Sequence, residues 1–334
     1  MADFFRPKIK FKTIYVWKES ERIIIMGNKN ANLHKAKAEK NDEFYTQLTD
    51  ISKELMHYKD HFKDKIVFCN CDDPVHSNFW KYFHLNFEHL RLKRLISTHY
   101  DKKNPTYKMV YEGGNDNDVE IGEKIDLEGN GDFRNQECIE ILKESDIVVT
   151  NPPFSLFREY VDILMKYNKK FLIIGNQNAL VYKEIFPLIK DNKVWMGYNN
   201  GDMAFKVPAD SESRETRFWI DETGQKWRSL GNAMWFTNLD HKKRHEKLTL
   251  YKTYNPEEYP TYETYNAIEV SKTINIPIDY NGIMGVPITF LDKYNPDQFE
   301  IVGEFKHGSD SYLDLAKPIV NGKELYTRIA IKRK

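Results

Sequence analysis

Residues 146–160 change from a continuous apolar run to a proline turn and then to a helical pattern. Residues 147–150 (IVVT) are mostly β-branched, which is typical of a short buried strand. The prolines in residues 151–154 (NPPF) supply no backbone N–H, so neither strand nor helix continues through them. Ser155 is predicted to cap a helix whose apolar positions, including Tyr160, share one face. The pattern therefore predicts a rigid turn at the carboxyl end of a strand, where open α/β sheets bind ligands.

Apolar runs and amphipathic segments alternate through most of the chain. The strands predicted from these runs are residues 65–71, 92–98, 171–175, 194–198 and 233–238. The helices predicted between them are residues 48–62, 78–87, 135–143 and 185–189. This alternation predicts an α/β fold with a doubly wound, mostly parallel sheet.

The pattern also divides the chain into regions. Residues 1–30 are basic and aromatic and are interpreted as an N-terminal extension. Residues 31–240 carry the alternating pattern and are predicted to form a catalytic domain, with residues 199–230 as an insertion. From residue 241 the segments become short, polar and tyrosine-rich, which favours a separate C-terminal region at 241–334.

Composition narrows the function classes. Lys and Arg number 50 and Asp and Glu also number 50, so any nucleic-acid surface must be a local patch. The three cysteines form neither a zinc set nor a disulfide framework, which fits a reducing cytoplasm, and no metal site is predicted. No apolar run approaches the ~20 residues of a membrane span.

The proline turn suits chemistry on an exocyclic amine. The adenine amine is a poor nucleophile, because its lone pair is delocalised into the ring. The Asn151 side-chain oxygen and the Pro152 carbonyl, held rigid by Pro153, can accept its N–H bonds and favour a more nucleophilic nitrogen. Phe154 can stack on a base that has left the duplex. The alternative interpretation is a proline-rich loop with a structural asparagine.

Several motifs resemble one known family. They are residues 42–47 (DEFYTQ), 69–74 (CNCDDP), 131–134 (GDFR), 151–160 (NPPFSLFREY) and 285–303 (GVPITFLDKYNPDQFEIVG). Their order and sequence resemble the EcoRI-type adenine-specific DNA methyltransferases, from about Asn32 to the C-terminus. The resemblance implies a class I, Rossmann-like methyltransferase fold, S-adenosylmethionine as cofactor and N6 of adenine as acceptor. It also implies target recognition near the C-terminus.

The resemblance further implies a set of cofactor-binding residues. They are Tyr45, Thr46, Asn70, Asp72, Asp73, Asp132, Phe133 and Asn151. Tyr45 and Thr46 stand where the family binds the methionine end, and Asp72 or Asp73 can hold its ammonium. Asp132 can accept from the cofactor adenine while Phe133 packs on that ring. The alternatives are helix caps for the first two pairs, and a turn acid beside a core aromatic for the last.

Contacts to DNA are assigned from basic residues beside aromatic ones. The candidates are His34, Lys35, Arg214, Arg217, Arg228, Lys242, Lys243 and Arg244. For each lysine or arginine, a solvated surface position is the alternative.

The leading hypothesis is therefore a site-specific adenine-N6 methyltransferase that flips its target base out of duplex DNA. Other NPP-type enzymes methylate a protein glutamine or an RNA base, and a noncatalytic DNA-binding relative is a third possibility. The expected setting is a restriction-modification or related system in a bacterial cell, its phage or its plasmid. We expect a cytoplasmic monomer and a cognate endonuclease, if one exists, that acts separately.

Overall fold

The computed structural model describes residues 45–114, 117–200, 203–207, 211–213, 215–229, 231–306 and 314–334, and only the backbone of Tyr45. The predicted N-terminal extension at 1–30 lies outside these residues. His34, Lys35 and Arg214, predicted to contact DNA, also lie outside them.

Short helices and strands alternate through the described residues. The helices are α1 (Leu48–Leu55), α2 (Lys59–Phe62), α3 (Asn78–Leu85), α4 (Phe87–Leu90), α5 (Gln136–Glu144), α6 (Phe157–Lys166) and α7 (Phe186–Lys190). The first twelve strands are β1 (Tyr45–Thr46), β2 (Ile66–Cys69), β3 (Arg94–Thr98), β4 (Tyr107–Tyr111), β5 (Glu123–Asp126), β6 (Ile147–Thr150), β7 (Lys170–Asn176), β8 (Trp195–Met196), β9 (Ala204–Lys206), β10 (Phe218–Ile220), β11 (Lys226–Ser229) and β12 (Ala233–Thr237). The remaining strands are β13 (Ala267–Glu269), β14 (Ile283–Pro287), β15 (Phe299–Phe305), β16 (Asp314–Ala316), β17 (Ile319–Val320), β18 (Lys323–Glu324) and β19 (Arg328–Arg333).

Eight of the described strands form the main sheet, in the order β5-β4-β3-β2-β6-β7-β12-β8. The four central strands, β3, β2, β6 and β7, are parallel. β4 and β12 run antiparallel to them, and the outermost strands, β5 and β8, again run in the direction of the central strands. This arrangement confirms the predicted mostly parallel sheet. The carboxyl ends of β2, β6 and β7 lie at one edge, because parallel strands end on the same side of a sheet.

The two faces of the sheet are covered by different helices. Alternating residues of each strand face opposite sides, so Val149 joins one hydrophobic cluster and Val148 joins the other. Helices α1 to α4 supply side chains to the first cluster, and α5 to α7 supply side chains to the second. The fold is therefore doubly wound, as the alternating pattern predicts.

Residues after 241 share the second of these clusters. Their five-stranded sheet, in the order β13-β14-β19-β15-β16, contributes Ile268, Val286, Ile301 and Ile331 to the same buried cluster as α6 and α7. Lys306 Nζ also donates to the Val181 carbonyl at 3.0 Å. The C-terminal sheet thus packs against the helical layer that carries α6.

The segment between β8 and β12 forms a small antiparallel sheet together with β1, in the order β1-β9-β11-β10. Thr46 of β1 pairs with Phe205 of β9, so this sheet includes the predicted cofactor motif. The buried Glu54 carboxylate fixes the start of the inserted segment, just after β8. It accepts the backbone N–H groups of Tyr198 at 2.6 Å and Asn199 at 2.7 Å. Burial raises the pKa of Glu54 above its ordinary value.

Two local predictions are wrong. Ser155 does not cap a helix: residues 154–156 form a single 3-10 turn, and α6 begins at Phe157 after an N-cap at Leu156. The chain needs this tighter turn because Pro152 and Pro153 hold it extended until Phe154. The helix predicted at 48–62 is also divided, since α1 ends at Leu55 and α2 begins only at Lys59.

Gly175 of β7 sets how closely α6 approaches the sheet. A Cβ at Gly175 would overlap the ring of Phe157 and lie 2.9 Å from the ring of Phe236. Gly175→Ala should therefore lower the free energy of unfolding by about 1–3 kcal/mol, the usual cost of overpacking a core. Urea unfolding measures this loss, and Phe157→Leu in the same chain should restore part of it. A Gly175→Ala variant as stable as the parent would contradict this account, because it would show that α6 can move away from β7 without loss of stability.

Candidate active site at the carboxyl edge of the sheet

The NPPF turn directly follows β6, between the ends of β2 and β7. Asn151 is half-buried, Pro152 is buried, and Phe154 packs against the core at the same edge. The Pro153 carbonyl accepts the Leu156 N–H at 3.0 Å, so it is used within the chain. Of the two proline carbonyls, that of Pro152 is the better candidate to accept a hydrogen bond from a substrate.

Thr46 lies next to Asn151, although the two are distant in sequence. Asn151 Nδ2 donates to Thr46 Oγ1 at 3.4 Å, which directs the oxygen of the amide away from the threonine hydroxyl. Asn78, the first residue of α3, donates from Nδ2 to the Thr46 carbonyl at 2.7 Å. Gln47, rather than Tyr45 or Thr46, occupies the N-cap of α1. The structure thus joins two predicted site residues, and it adds Asn78, which the sequence did not indicate.

Asp72 bridges the ends of β2 and β6. Its carboxylate accepts hydrogen bonds from the Ser77 hydroxyl at 2.9 Å, from the Thr150 hydroxyl and from the Asn151 backbone N–H. Burial raises the pKa of Asp72 to about 6, and these three donors oppose that rise.

Asp73 has different partners. Its Oδ1 atom accepts the Val75 N–H at 3.0 Å and the Tyr107 hydroxyl at 3.3 Å. Burial, with a smaller effect from the Asp73 charge, raises the pKa of Tyr107 to about 12. Ser77 caps α3 by accepting from Phe79 N at 3.0 Å, so neither aspartate is the cap of that helix.

The GDFR motif follows β5 and lies beside the end of β3. Gly131 has φ +71°, and a Cβ there would overlap the His99 carbonyl, so the close approach to β3 requires glycine. The Asp132 carboxylate accepts from Arg134 N at 3.0 Å and from its guanidinium at 2.8 Å and 2.6 Å. These hydrogen bonds from Arg134 lower the pKa of Asp132. Asp132 is therefore an ionised acceptor held in a fixed orientation.

Phe133 and Asn70 direct their side chains into the core. Phe133 is buried and meets the ring of Tyr160 edge-on, with ring centroids 5.0 Å apart. The hydroxyl of Tyr160, which is also buried, donates to Asn70 Oδ1. Tyr160 lies in α6, which follows the NPPF turn, so this contact connects α6 to the end of β2. The sequence indicated Tyr160 only as an apolar helix position.

The basic residues predicted to meet DNA have unequal surroundings. Lys243 Nζ donates to Asp292 Oδ1 at 2.6 Å, and the Arg244 guanidinium lies 3.9 Å from the centre of the Trp195 ring. Lys242 and Arg217 are exposed, and the Arg217 guanidinium lies against Gly231. Arg228 lies in β11, in register with Phe205 and Phe218. Lys243, Arg244 and Arg217 thus make contacts within the chain, and Lys242 is exposed.

Among residues the structure describes, no group of three or more His, Cys, Asp or Glu side chains is arranged to hold a metal ion. Within those same residues, no helix combines the length and apolar character needed to cross a bilayer.

A mostly parallel sheet with an NPPF turn and carboxylates at its carboxyl edge defines the protein as a class I methyltransferase. The family model described as adenine-specific methyltransferase EcoRI matches residues 32–334. The chain belongs to this family, and it is an adenine-specific DNA methyltransferase.

Three curated relatives have similar lengths. The chain is 50% identical to Type II methyltransferase M.EcoRI of Escherichia coli over 91% of this chain and 97% of the relative. It is 39% identical to M.MgeORF184P of Mycoplasma genitalium over 90% and 98%. It is 37% identical to M.MpnI of Mycoplasma pneumoniae, also over 90% and 98%. No solved structure matches the chain.

Tyr160→Phe tests the contact between α6 and Asn70. Removing the hydroxyl takes a donor from a buried amide oxygen and should lower the free energy of unfolding by about 1–3 kcal/mol. Tyr167→Phe, near the end of the same helix, is the control and should change stability by less than about 0.5 kcal/mol. Urea unfolding of both variants provides the comparison. Equal stability of Tyr160→Phe and the parent would contradict the structural role assigned to this hydroxyl.

Proposed function

We propose that the protein transfers a methyl group from S-adenosylmethionine to N6 of an adenine that has been flipped out of duplex DNA. The observation that carries this proposal is the Asn151 amide at the end of β6, fixed by Thr46 through its nitrogen. With the nitrogen engaged, the amide presents its oxygen, the acceptor that an exocyclic amine requires.

Acceptors at this turn act on the amine nitrogen. The Asn151 side-chain oxygen and the Pro152 carbonyl each accept one N–H of the adenine amine. These bonds draw the nitrogen lone pair out of conjugation with the ring, and they become stronger as positive charge develops on N6. Because the turn is rigid, the acceptors need no reorganisation when the charge appears. The nitrogen would gain the methyl group as the carbon–sulfur bond of the donor breaks to leave a neutral thioether, and the proton lost from N6 would pass to water.

Phe154 is proposed to hold the flipped base. Its ring is only partly buried at the same turn, so it can offer a face to an adenine next to Asn151. Stacking compensates in part for the base pairing and stacking lost when adenine leaves the duplex. Such contacts are typically worth about 1–3 kcal/mol per base.

The carboxyl edge fits the proposed cofactor through the chemistry of its side chains. The ammonium and adenine amine of S-adenosylmethionine are donors, and the Asp73 and Asp132 carboxylates are acceptors at neighbouring strand ends. Asp132 accepts three bonds from Arg134, which leaves capacity for a further donor. Thr46, which lies beside Asn151, would complete a wall of this site. When bound, the cofactor supplies an electrophilic methyl group on its sulfonium.

Two surfaces are proposed to contact DNA. The first is the β10–β11 hairpin, where Trp219 is 42% exposed and stacks on Trp227, with Arg217 and Arg228 on the same hairpin. The second is a cleft of about 420 Å³ whose lining includes Gln177, Asn232 and Lys293. It lies between the carboxyl edge of β7 and the C-terminal region. Amide side chains of this kind can pair with base edges, and exposed cations such as Lys242 suit phosphates.

The biological setting is proposed from the relatives. Each of the three is named a Type II methyltransferase. We propose that this chain acts as a monomer in the cytoplasm of a bacterial cell, with any cognate endonuclease acting separately on the same sequence.

Two substitutions in the turn distinguish the methyl-transfer step from binding of the flipped base. Asn151→Ala removes an acceptor that strengthens as N6 reacts, so it should abolish most of the single-turnover methylation rate and preserve most base flipping. Phe154→Ala removes the stacking surface and should reduce both. The measurements are single-turnover formation of N6-methyladenine and the fluorescence of 2-aminopurine at the target position. A parental methylation rate in Asn151→Ala would refute the catalytic assignment.

A further inference from the structure

The Asp72 carboxylate connects the start of α3 to the end of β6 and to the NPPF turn. Its Oδ1 atom accepts from Ser77 at the start of α3, and its Oδ2 atom accepts from Thr150 at the end of β6. The backbone N–H of Asn151 donates to the same carboxylate. One side chain therefore fixes both the last residue of β6 and the first residue of the turn.

The backbone of Asp72 is itself held on the opposite side. Its N–H donates to the Thr98 carbonyl at 3.1 Å, and its carbonyl accepts from the Ser97 hydroxyl. Both partners lie in β3, so the carboxylate extends from a residue that cannot shift independently of the sheet. The bonds of Asp73, to Val75 and Tyr107, involve no residue of β6. The two adjacent aspartates thus hold different parts of the site.

We propose that Asp72 is a positioning residue for methyl transfer, which acts by holding Thr150 and the Asn151 backbone in register with the end of β2. This inference rests on the proposed function, because it assumes that Asn151 accepts the target amine. Displacement of a reacting group by about 1 Å can cost about 100-fold in rate. Loss of the bridge should therefore slow the transfer step much more than it weakens binding of the cofactor.

The charge of Asp72 provides a second readout. The titratable groups around it are Asp73, Cys69, Cys71 and Tyr160. Burial raises the pKa of both thiols and of the Tyr160 phenol, so these groups stay neutral near pH 6, and the nearby Asp73 adds to the rise in the pKa of Asp72. The pKa of Asp72 is raised to about 6, so its carboxylate gains a proton as pH falls through that value. Protonation would replace an acceptor with a donor and weaken the bridge.

Asp72→Asn is the direct test, because the amide keeps the shape of the carboxylate but replaces one of its two acceptor oxygens with an NH₂ donor. Asp146→Asn is the matched control: Asp146 Oδ2 accepts the Ile66 N–H at 2.8 Å and joins β6 to β2 at the opposite end of the strands. Single-turnover methylation with saturating cofactor and DNA should fall about 100-fold in Asp72→Asn and remain parental in Asp146→Asn. Calorimetry should give the parental dissociation constant for S-adenosylmethionine in both variants.

A parental transfer rate in Asp72→Asn overturns the proposal, whatever its effect on cofactor affinity. If Asp72→Asn loses both rate and affinity, or fails to fold, Thr150 decides the question. Thr150→Val removes one donor to the carboxylate and should slow transfer, whereas Thr150→Ser keeps the hydroxyl and should restore the rate. Equal rates in the valine and serine variants overturn the proposal.

The pH profile distinguishes positioning from a general loss of packing. The parental single-turnover rate should decline as pH decreases through about 6, and Asp72→Asn should lack this decline. Thr150→Val should move it to higher pH, because the lost donor favoured the charged form. An unchanged decline in Asp72→Asn contradicts the inference. Absence of adenine methylation by the parent contradicts the proposed function instead, so the two failures are distinguishable.

Discussion

Pro152 and Pro153 lack the N–H groups that would extend β6 or start a helix, so the chain leaves the sheet at Asn151. The sheet places this exit between β2 and β7, beside the carboxylates that follow β2. The helix that follows can pack against the sheet only where Gly175 makes room for Phe157. The position of the Asn151 amide therefore follows from where the two prolines end β6.

Three contacts from different parts of the chain keep the turn in place. Thr46 holds the amide nitrogen of Asn151, Asp72 holds its backbone N–H, and Tyr160 ties the next helix to Asn70. Thr46 lies in β1, which pairs with β9 of the inserted sheet. The region proposed to contact DNA is thus connected to the proposed catalytic residue through one short strand.

The sequence predicts six strands of the main sheet and the proline turn, because these depend on local pattern, but it predicts neither β4 and β5 nor the strands of the C-terminal sheet. The bounds of β6 agree with the predicted run, and the parallel order follows from alternating strands and helices. The roles of individual polar residues depend on partners that are distant in sequence, so the local pattern does not predict them. Nothing near Lys243 in sequence indicates Asp292, and nothing near Thr46 indicates Asn78. The Ser155 cap was wrong because the preference of serine for helix caps was weighed without the geometry that two prolines impose.

The measurement that tests the central claim most directly is the fate of a labelled methyl group. Purified protein would be incubated with labelled S-adenosylmethionine and duplex DNA, with RNA and protein offered in parallel, and the products would be digested to nucleosides and amino acids. The carboxyl-edge site predicts that the label is recovered in N6-methyldeoxyadenosine from the duplex. Label recovered only in cytosine, in RNA or in protein would contradict the assignment of Asn151 as the acceptor for an adenine amine.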